Sequence, residues 1–203
     1  MVRAESARAC PVRQTESVAG NWVTLEPLSE GNQLEASRIE AVRQRTPNLG
    51  GAPGRRDFTR SFGPAMLIRA KADGAAVGLV ENGHMIGYPG VAVVLIFVDP
   101  SLARPGIAME AFAMYVTRVF EAGARLVHLE VLAFNRPVLR MLARIGVAEQ
   151  ARLRDQVYAA GRFWDVLVFA FDADQYRQIW TRYARMLPGG DRGPAAIGGR
   201  RKP

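Results

Sequence analysis

Cysteine is almost absent from this chain. Cys10 stands alone among 203 residues, which excludes an intrachain disulfide and any cysteine-built metal site. His84 and His128 are the only histidines, and neither lies in a metal-ligand spacing. No apolar run approaches the ~18 residues that a membrane span requires. The opening MVRAESARAC lacks the apolar core of a secretory signal. A cytoplasmic protein without a metal is the expectation. Lysine is scarce too, appearing only as Lys71 and Lys202. The net charge of +8 is therefore nearly all arginine. With the surplus of Ala, Gly and Pro, that pattern suggests a coding bias more than a nucleic-acid surface. The positive field still attracts anions such as nucleotides or RNA.

What is present suits a folded globule. Apolar residues make up 49% of the chain, and the length supports one domain with a substantial core. Residues 1–20 have no sustained period and read as a flexible arm. Residues 21–187 carry the domain. Residues 188–203, PGGDRGPAAIGGRRKP, have too few apolar groups to fold and read as a disordered basic tail.

The chain is organised around Val91–Ala111, VAVVLIFVDPSLARPGIAMEA. Val91–Val98 is a β-branched apolar run bounded by turn residues, which reads as a buried strand. A loop from Pro100 to Gly106 leads into a helix from Ile107 to about Ala122. Its stripe is Ile107, Ala111, Tyr115 and Val119, and Gly123 closes it. A strand, a glycine-containing loop and a helix N-terminus together make an anion site, because first-turn N–H groups lack partners and carry the positive dipole end. Neither a Gly-Lys-Ser/Thr nor three spaced glycines is present, so neither common nucleotide loop applies.

The remaining elements frame this unit. Trp22–Leu25 reads as a strand, and Ser29 to about Arg45 as a helix with Leu34, Ile39 and Val42 near one face. Ala65–Ala70 and Ala75–Glu81 form a hairpin around Asp73-Gly74, and Asn82-Gly83 reads as the next turn. Leu126–Leu132 follows a helical crossover, so it lies parallel to Val91–Val98. Asn135 and Pro137 open a short helix that Gly146 ends. Val147–Tyr158 and Phe163–Phe171 make a closing hairpin around Ala160-Gly161, and a helix spans Asp172–Leu187.

Two signatures carry a resemblance. Asp99-Pro100, Gly106, Ala108 and Glu110-Ala111 form the first, and FNRPVLRMLARIGV, beginning at Phe134, forms the second. Both resemble the GNAT superfamily of acetyltransferases, especially its branch that acetylates ribosomal-protein N-termini. Ala103 departs from the Gln or Arg of that pattern, and Pro105 removes an N–H donor. The resemblance implies an α/β fold with a mixed six- to seven-stranded sheet, an antiparallel meander plus a splayed parallel pair, flanked by helices. It also implies N-acyl transfer from acetyl-CoA or another acyl-CoA to a primary amine of a small molecule or protein N-terminus.

The site residues follow from that likeness. Ile96, Phe97 and Val98 would hold the pantetheine arm. Arg104, Gly106, Ile107 and Ala108 would face the pyrophosphate, and Asn135 would sit near the reactive half. Glu81, His84, Tyr88 and Glu130 are candidate bases, able to take the amine proton directly or through water. The tyrosine acid of some relatives is replaced by Leu142. Two other readings remain open. Arg55, Arg56, Arg60 and the basic tail can bind RNA, which fits an aminoacyl-tRNA donor. The lack of one evident base fits a non-catalytic module that binds a CoA ester or a partner. A monomer and a homodimer are equally compatible with the sequence.

Overall fold

The computed structural model describes residues 16–46, 65–84 and 90–184. Its elements in chain order are β1 (Val18–Ala19), β2 (Val23–Pro27), α1 (Gln33–Arg45), β3 (Met66–Ala70), β4 (Ala76–His84) and β5 (Val91–Val98). There follow α2 (Ile107–Glu121), β6 (Leu126–Leu132), α3 (Arg136–Arg144), β7 (Glu149–Ala159), β8 (Arg162–Phe171) and α4 (Ala173–Ala184). The strands form one sheet in the order β1-β2-β3-β4-β5-β6-β8-β7. Only β5 and β6 run parallel, joined by the α2 crossover; every other neighbouring pair is antiparallel.

Sequence patterning explains how the layers stack. Met66, Ile68 and Ala70 on β3 and Val127, Leu129 and Val131 on β6 alternate onto one face, where they pack with the buried stripe of α2. α4 covers the same face. Its Tyr176 hydroxyl donates to the Ala113 carbonyl at 2.7 Å and lies 3.1 Å from Thr117 Oγ1. Burial pushes that phenol's pKa well up, which suits a permanent hydrogen-bond donor. α1 lies on the opposite face and is pinned by charge. Arg69 of β3 binds Glu35 of α1 at 2.8 and 3.0 Å and Glu26 of β2 at 2.9 and 3.0 Å.

Four expectations change. The sheet has eight strands rather than six or seven, because Val18–Ala19 in the supposed arm pairs with Leu25–Thr24. The Asn82-Gly83 turn does not form. β4 continues through both residues to His84, with Asn82 opposite Val94. Asn82 is buried at this strand position, where its Oδ1 accepts the Tyr115 hydroxyl at 2.6 Å while its Nδ2 finds no partner among the described residues. Leu34 does not face inward: it is 82% exposed, and Ala36 joins Ile39 as the buried pair of α1. The helix also begins later than Ser29, since Glu30–Asn32 form a separate 3-10 turn. The C-terminal tail and the arginines at 55, 56 and 60, the expected RNA contacts, lie outside the described residues. Among the described residues, no helix is long and apolar enough to cross a membrane.

Candidate active site

The parallel pair opens shortly after it forms. Val91, Ala92 and Val93 of β5 match Leu126, Val127 and His128 of β6, and the ladder stops there. β5 runs on to Val98, held on its other side by β4 from Ala92 through Val98. β6 runs on to Leu132, held by β8. Val94–Val98 therefore has sheet partners on one side only, and a gap in the pairing runs toward the C-terminal ends of both strands. Ile96 and Val98 are half-buried beside it, and Phe97 is buried on the alternate face.

The start of α2 lies beyond the end of β5. Gly106 takes φ +90°, a left-handed conformation that costs glycine little. The Trp22 indole packs directly on it, since a Cβ there would come 2.7 Å from the ring. Asp99 shapes the approach by accepting the Ser101 N–H at 2.8 Å. The Ile107 N–H reaches the Arg104 carbonyl at 3.3 Å, whereas among the described residues the N–H groups of Gly106, Ala108 and Met109 have no partner. Three donors at a helix start suit an anion. Arg104 is exposed and pairs with Asp73 at 3.0 Å. Such a surface pair is worth ~0–1 kcal/mol, so the guanidinium is free to exchange Asp73 for a phosphate. A cavity of about 420 Å³ adjoins the loop between Trp22, Lys71, Arg104 and Pro105.

Asn135 follows β6 at the head of α3. It occupies the N-cap position and is half-buried, yet its side chain makes no capping bond among the described residues.

The opposite face carries the acid–base candidates. Glu81 lies opposite Leu95, and His128 opposite Val93. Val93 and Leu95 share a face, so Glu81, His128 and Glu130 all lie on the α1 side, with Glu81 two strands, or about 10 Å, from β6. Arg43 of α1 stands 3.4 Å from Glu81 and is bound at 2.7 and 2.9 Å by Glu40. Burial pushes the Glu81 carboxyl upward and outweighs the pull of Arg43, with Glu40 adding to the rise. Burial also pulls the His128 imidazole down, while Glu130 opposes this. Both groups are biased toward neutrality. Glu130 is exposed. His84 ends β4 opposite Ala92 with an undescribed side chain, and residue 88 lies outside the described residues, so the Tyr88 expectation finds no test here. Among the described residues, no three His, Cys, Asp or Glu side chains group as a metal site.

The sequence reading misses two features. Phe134 meets Trp164 edge-on at 4.9 Å, and Arg162 lies 3.5 Å above the Trp164 ring, forming an aromatic wall beside Asn135. Glu110 enters the sequence reading only as part of a motif, but it is 6% exposed and accepts three backbone N–H groups. An acid inside the apolar stripe IAMEAFAMY is the signal that marks it.

A mixed sheet opened at its one parallel pair, with a glycine-led helix start beyond the gap, defines the acetyltransferase architecture. The chain belongs to the acetyltransferase (GNAT) family, whose sequence model matches residues 36–147, more than half its length. Among solved structures it resembles a GCN5-related N-acetyltransferase from Brucella melitensis, with TM-score 0.67 and 22% identity over 88% of this chain and 89% of that one. Mycobacterium smegmatis RimJ in complex with CoA-disulfide gives 0.58 and 23% over 77% and 87%. The spermidine N-acetyltransferase from Vibrio cholerae, in complex with CoA and spermine, gives 0.65 and 16% over 78% and 99%. No match was found among curated proteins. These likenesses establish the fold, and because a RimJ and a polyamine enzyme both superpose, the fold does not choose a branch.

Proposed function

We propose that this protein is an N-acyltransferase that moves an acetyl or other acyl group from acyl-CoA to a primary amine. The observation that carries the reading is the early end of the β5–β6 ladder. It leaves the edge of Val94–Val98 facing a gap that leads to unpaired N–H groups at the start of α2. The pantetheine arm would lie along Ile96–Val98. Gly106, Ala108 and Met109 would donate to the pyrophosphate, with Arg104 adding charge. Ile107, whose N–H is already directed at Arg104, contributes mainly by burying its side chain.

The thioester supplies the acyl carbon; the N–C bond forms as the C–S bond breaks, and the amine proton ends on the CoA sulfur. The chain's own groups position the reactants and move protons. Glu81 is the first candidate base, because it is half-buried on the α1 face and its raised pKa brings its conjugate base nearer the strength an ammonium requires. His128 serves the same face through water. Asn135 would orient the reactive half of the donor. Much of the rate would come from holding amine and thioester together across the gap.

The branch that acetylates protein N-termini and the small-amine branch both suit this layout. The RimJ and spermidine acetyltransferase likenesses support both equally. Calorimetric titration with acetyl-CoA tests the donor, and thiol release against a panel of amines and N-terminal peptides tests turnover. Micromolar binding with saturable, Asn135-dependent release supports the enzyme. Binding without turnover on any amine would turn the assignment to a CoA-ester sensor.

A further inference from the structure

Glu110 poses a physical problem. It lies in the first turn of α2, beside the N–H groups that would receive a pyrophosphate, and a carboxylate there repels an anion. Burial raises the cost further, since a buried carboxylate must be hydrogen-bonded. The structure meets that cost in one way. Glu110 Oε1 accepts the Asn21 N–H at 2.7 Å, and Oε2 accepts those of Trp22 at 2.7 Å and Val23 at 3.0 Å. Three consecutive donors turned to one carboxylate disperse its charge and fix the β1–β2 turn on the helix. Gly20 is the neighbour that permits this approach, because a Cβ there would fall 2.6 Å from Met114 Sδ and 2.8 Å from Glu110 Cδ.

The turn holds Trp22 from both sides. Its N–H goes to Glu110, and its carbonyl accepts the Lys71 N–H at 2.8 Å. With the backbone fixed, the indole lies on Gly106, the residue whose left-handed conformation aims the loop's N–H groups.

We infer that Glu110 is a positioning residue for the donor site, acting through Trp22 on Gly106. This rests on the reading above that the loop holds acyl-CoA. Glu110 touches no reacting atom in this account. It sets the geometry of the anion-binding amides by clamping the strand turn that carries the indole.

The test is a double-mutant cycle on acetyl-CoA affinity with Glu110→Gln, Trp22→Ala and the pair. Glu110→Gln presents an amide NH₂ to N–H donors, so the clamp loosens while the volume is kept. Each single change should weaken acetyl-CoA about tenfold and move the amine KM less than about twofold. The pair should be no weaker than either alone, because both act on one relay. Thr117→Ala, further along α2 and remote from the loop, controls for lost stability; it should leave affinity unchanged at a similar fall in Tm. Additive effects, or wild-type affinity in a folded Glu110→Gln, would overturn the inference. Should Glu110→Gln not fold, Trp22→Ala decides alone, and unaltered affinity there also overturns it. If wild-type protein fails to bind acetyl-CoA, the donor reading falls. Amide exchange at Gly106–Met109 then judges the relay separately: faster exchange in Trp22→Ala supports it, and equal exchange rejects it.

Discussion

Three glycine-to-alanine changes separate backbone strain from steric approach. Gly161 has φ +80° and nothing within 4 Å of an added Cβ, so alanine there meets conformational strain alone. That strain is about 1–2 kcal/mol, reduced by ~0.4–1 kcal/mol because alanine stiffens the unfolded chain. The net loss should be below about 1.5 kcal/mol. Gly106 has φ +90° and in addition places the Cβ 2.7 Å from Trp22 Cζ3. Moving a packed indole off its rotamer adds ~0.5–1.5 kcal/mol, so Gly106→Ala should exceed Gly161→Ala by about that amount. Gly78 meets backbone instead: the Cβ would fall 2.2 Å from the Phe97 carbonyl oxygen, and relief requires β4 and β5 to part. Overpacking of this kind costs ~1–3 kcal/mol or more, so Gly78→Ala should be the worst. Urea unfolding gives the order, and acetyl-CoA titration adds a second axis. Gly161→Ala should keep wild-type affinity, while Gly106→Ala loses it by disturbing the loop. Equal stability losses at Gly106 and Gly161 would refute the claim that Trp22 rests on the loop glycine.

Burial holds the Glu81 carboxyl above 4.5, so its contribution favours the fold below that value and fades as pH rises through the folded pKa. Glu81→Gln should therefore match wild type in urea melts below pH 4.5, exceed it at neutral pH, and lose the acid limb of kcat/KM. His128 runs the other way: its pKa lies below 6.5, so its contribution is present above 6.5 and is lost as pH falls through the folded value. His128→Gln should flatten that acid loss in melts taken from pH 7 down to 5. Asn135→Ala should cost less than about 0.5 kcal/mol, against ~0.5–2 for a working N-cap, while raising the KM for acyl-CoA; a large fall in Tm with unchanged KM would make Asn135 purely structural. Tyr176→Phe should lose ~1 kcal/mol, one buried hydrogen bond, with no change in either KM.

The fold was legible where local pattern and tertiary role agree. Val91–Val98 reads as a strand because its composition admits little else, and α2 because its stripe recurs at helical spacing. Ala160-Gly161 reads as a turn and adopts φ of +51° and +80°, which two-residue hairpins need. Failures occurred where a distant partner overrode local chemistry. Asn82 has the composition of a turn, and its strand position is met by the Tyr115 hydroxyl, 33 residues away in sequence. Leu34 fits a helical stripe on paper, but the stripe of α1 is weak and charge rather than apolar area attaches it. Near the candidate site, the helix starts at Gly106 and Asn135 were legible in the sequence. The role of Glu110 was not, because its partners are backbone amides, which no side-chain pattern encodes.

The register accounts for the division of labour across the sheet. Beyond Val93 and His128, β5 and β6 are no longer paired, which leaves a gap between them. The helix start and its free amides meet it from one end, where anionic groups are favoured. Glu81, His128 and Glu130 lie on the α1 face, the first two biased toward neutrality by burial. On the proposed reading, an anionic donor would meet the helix-start amides, and an amine would arrive on the face that carries Glu81 and His128. On that reading, joining β5 to β6 beyond Val93 would abolish turnover while leaving both sets of side chains in place. The arrangement thus depends on a few missing backbone hydrogen bonds as much as on any named residue.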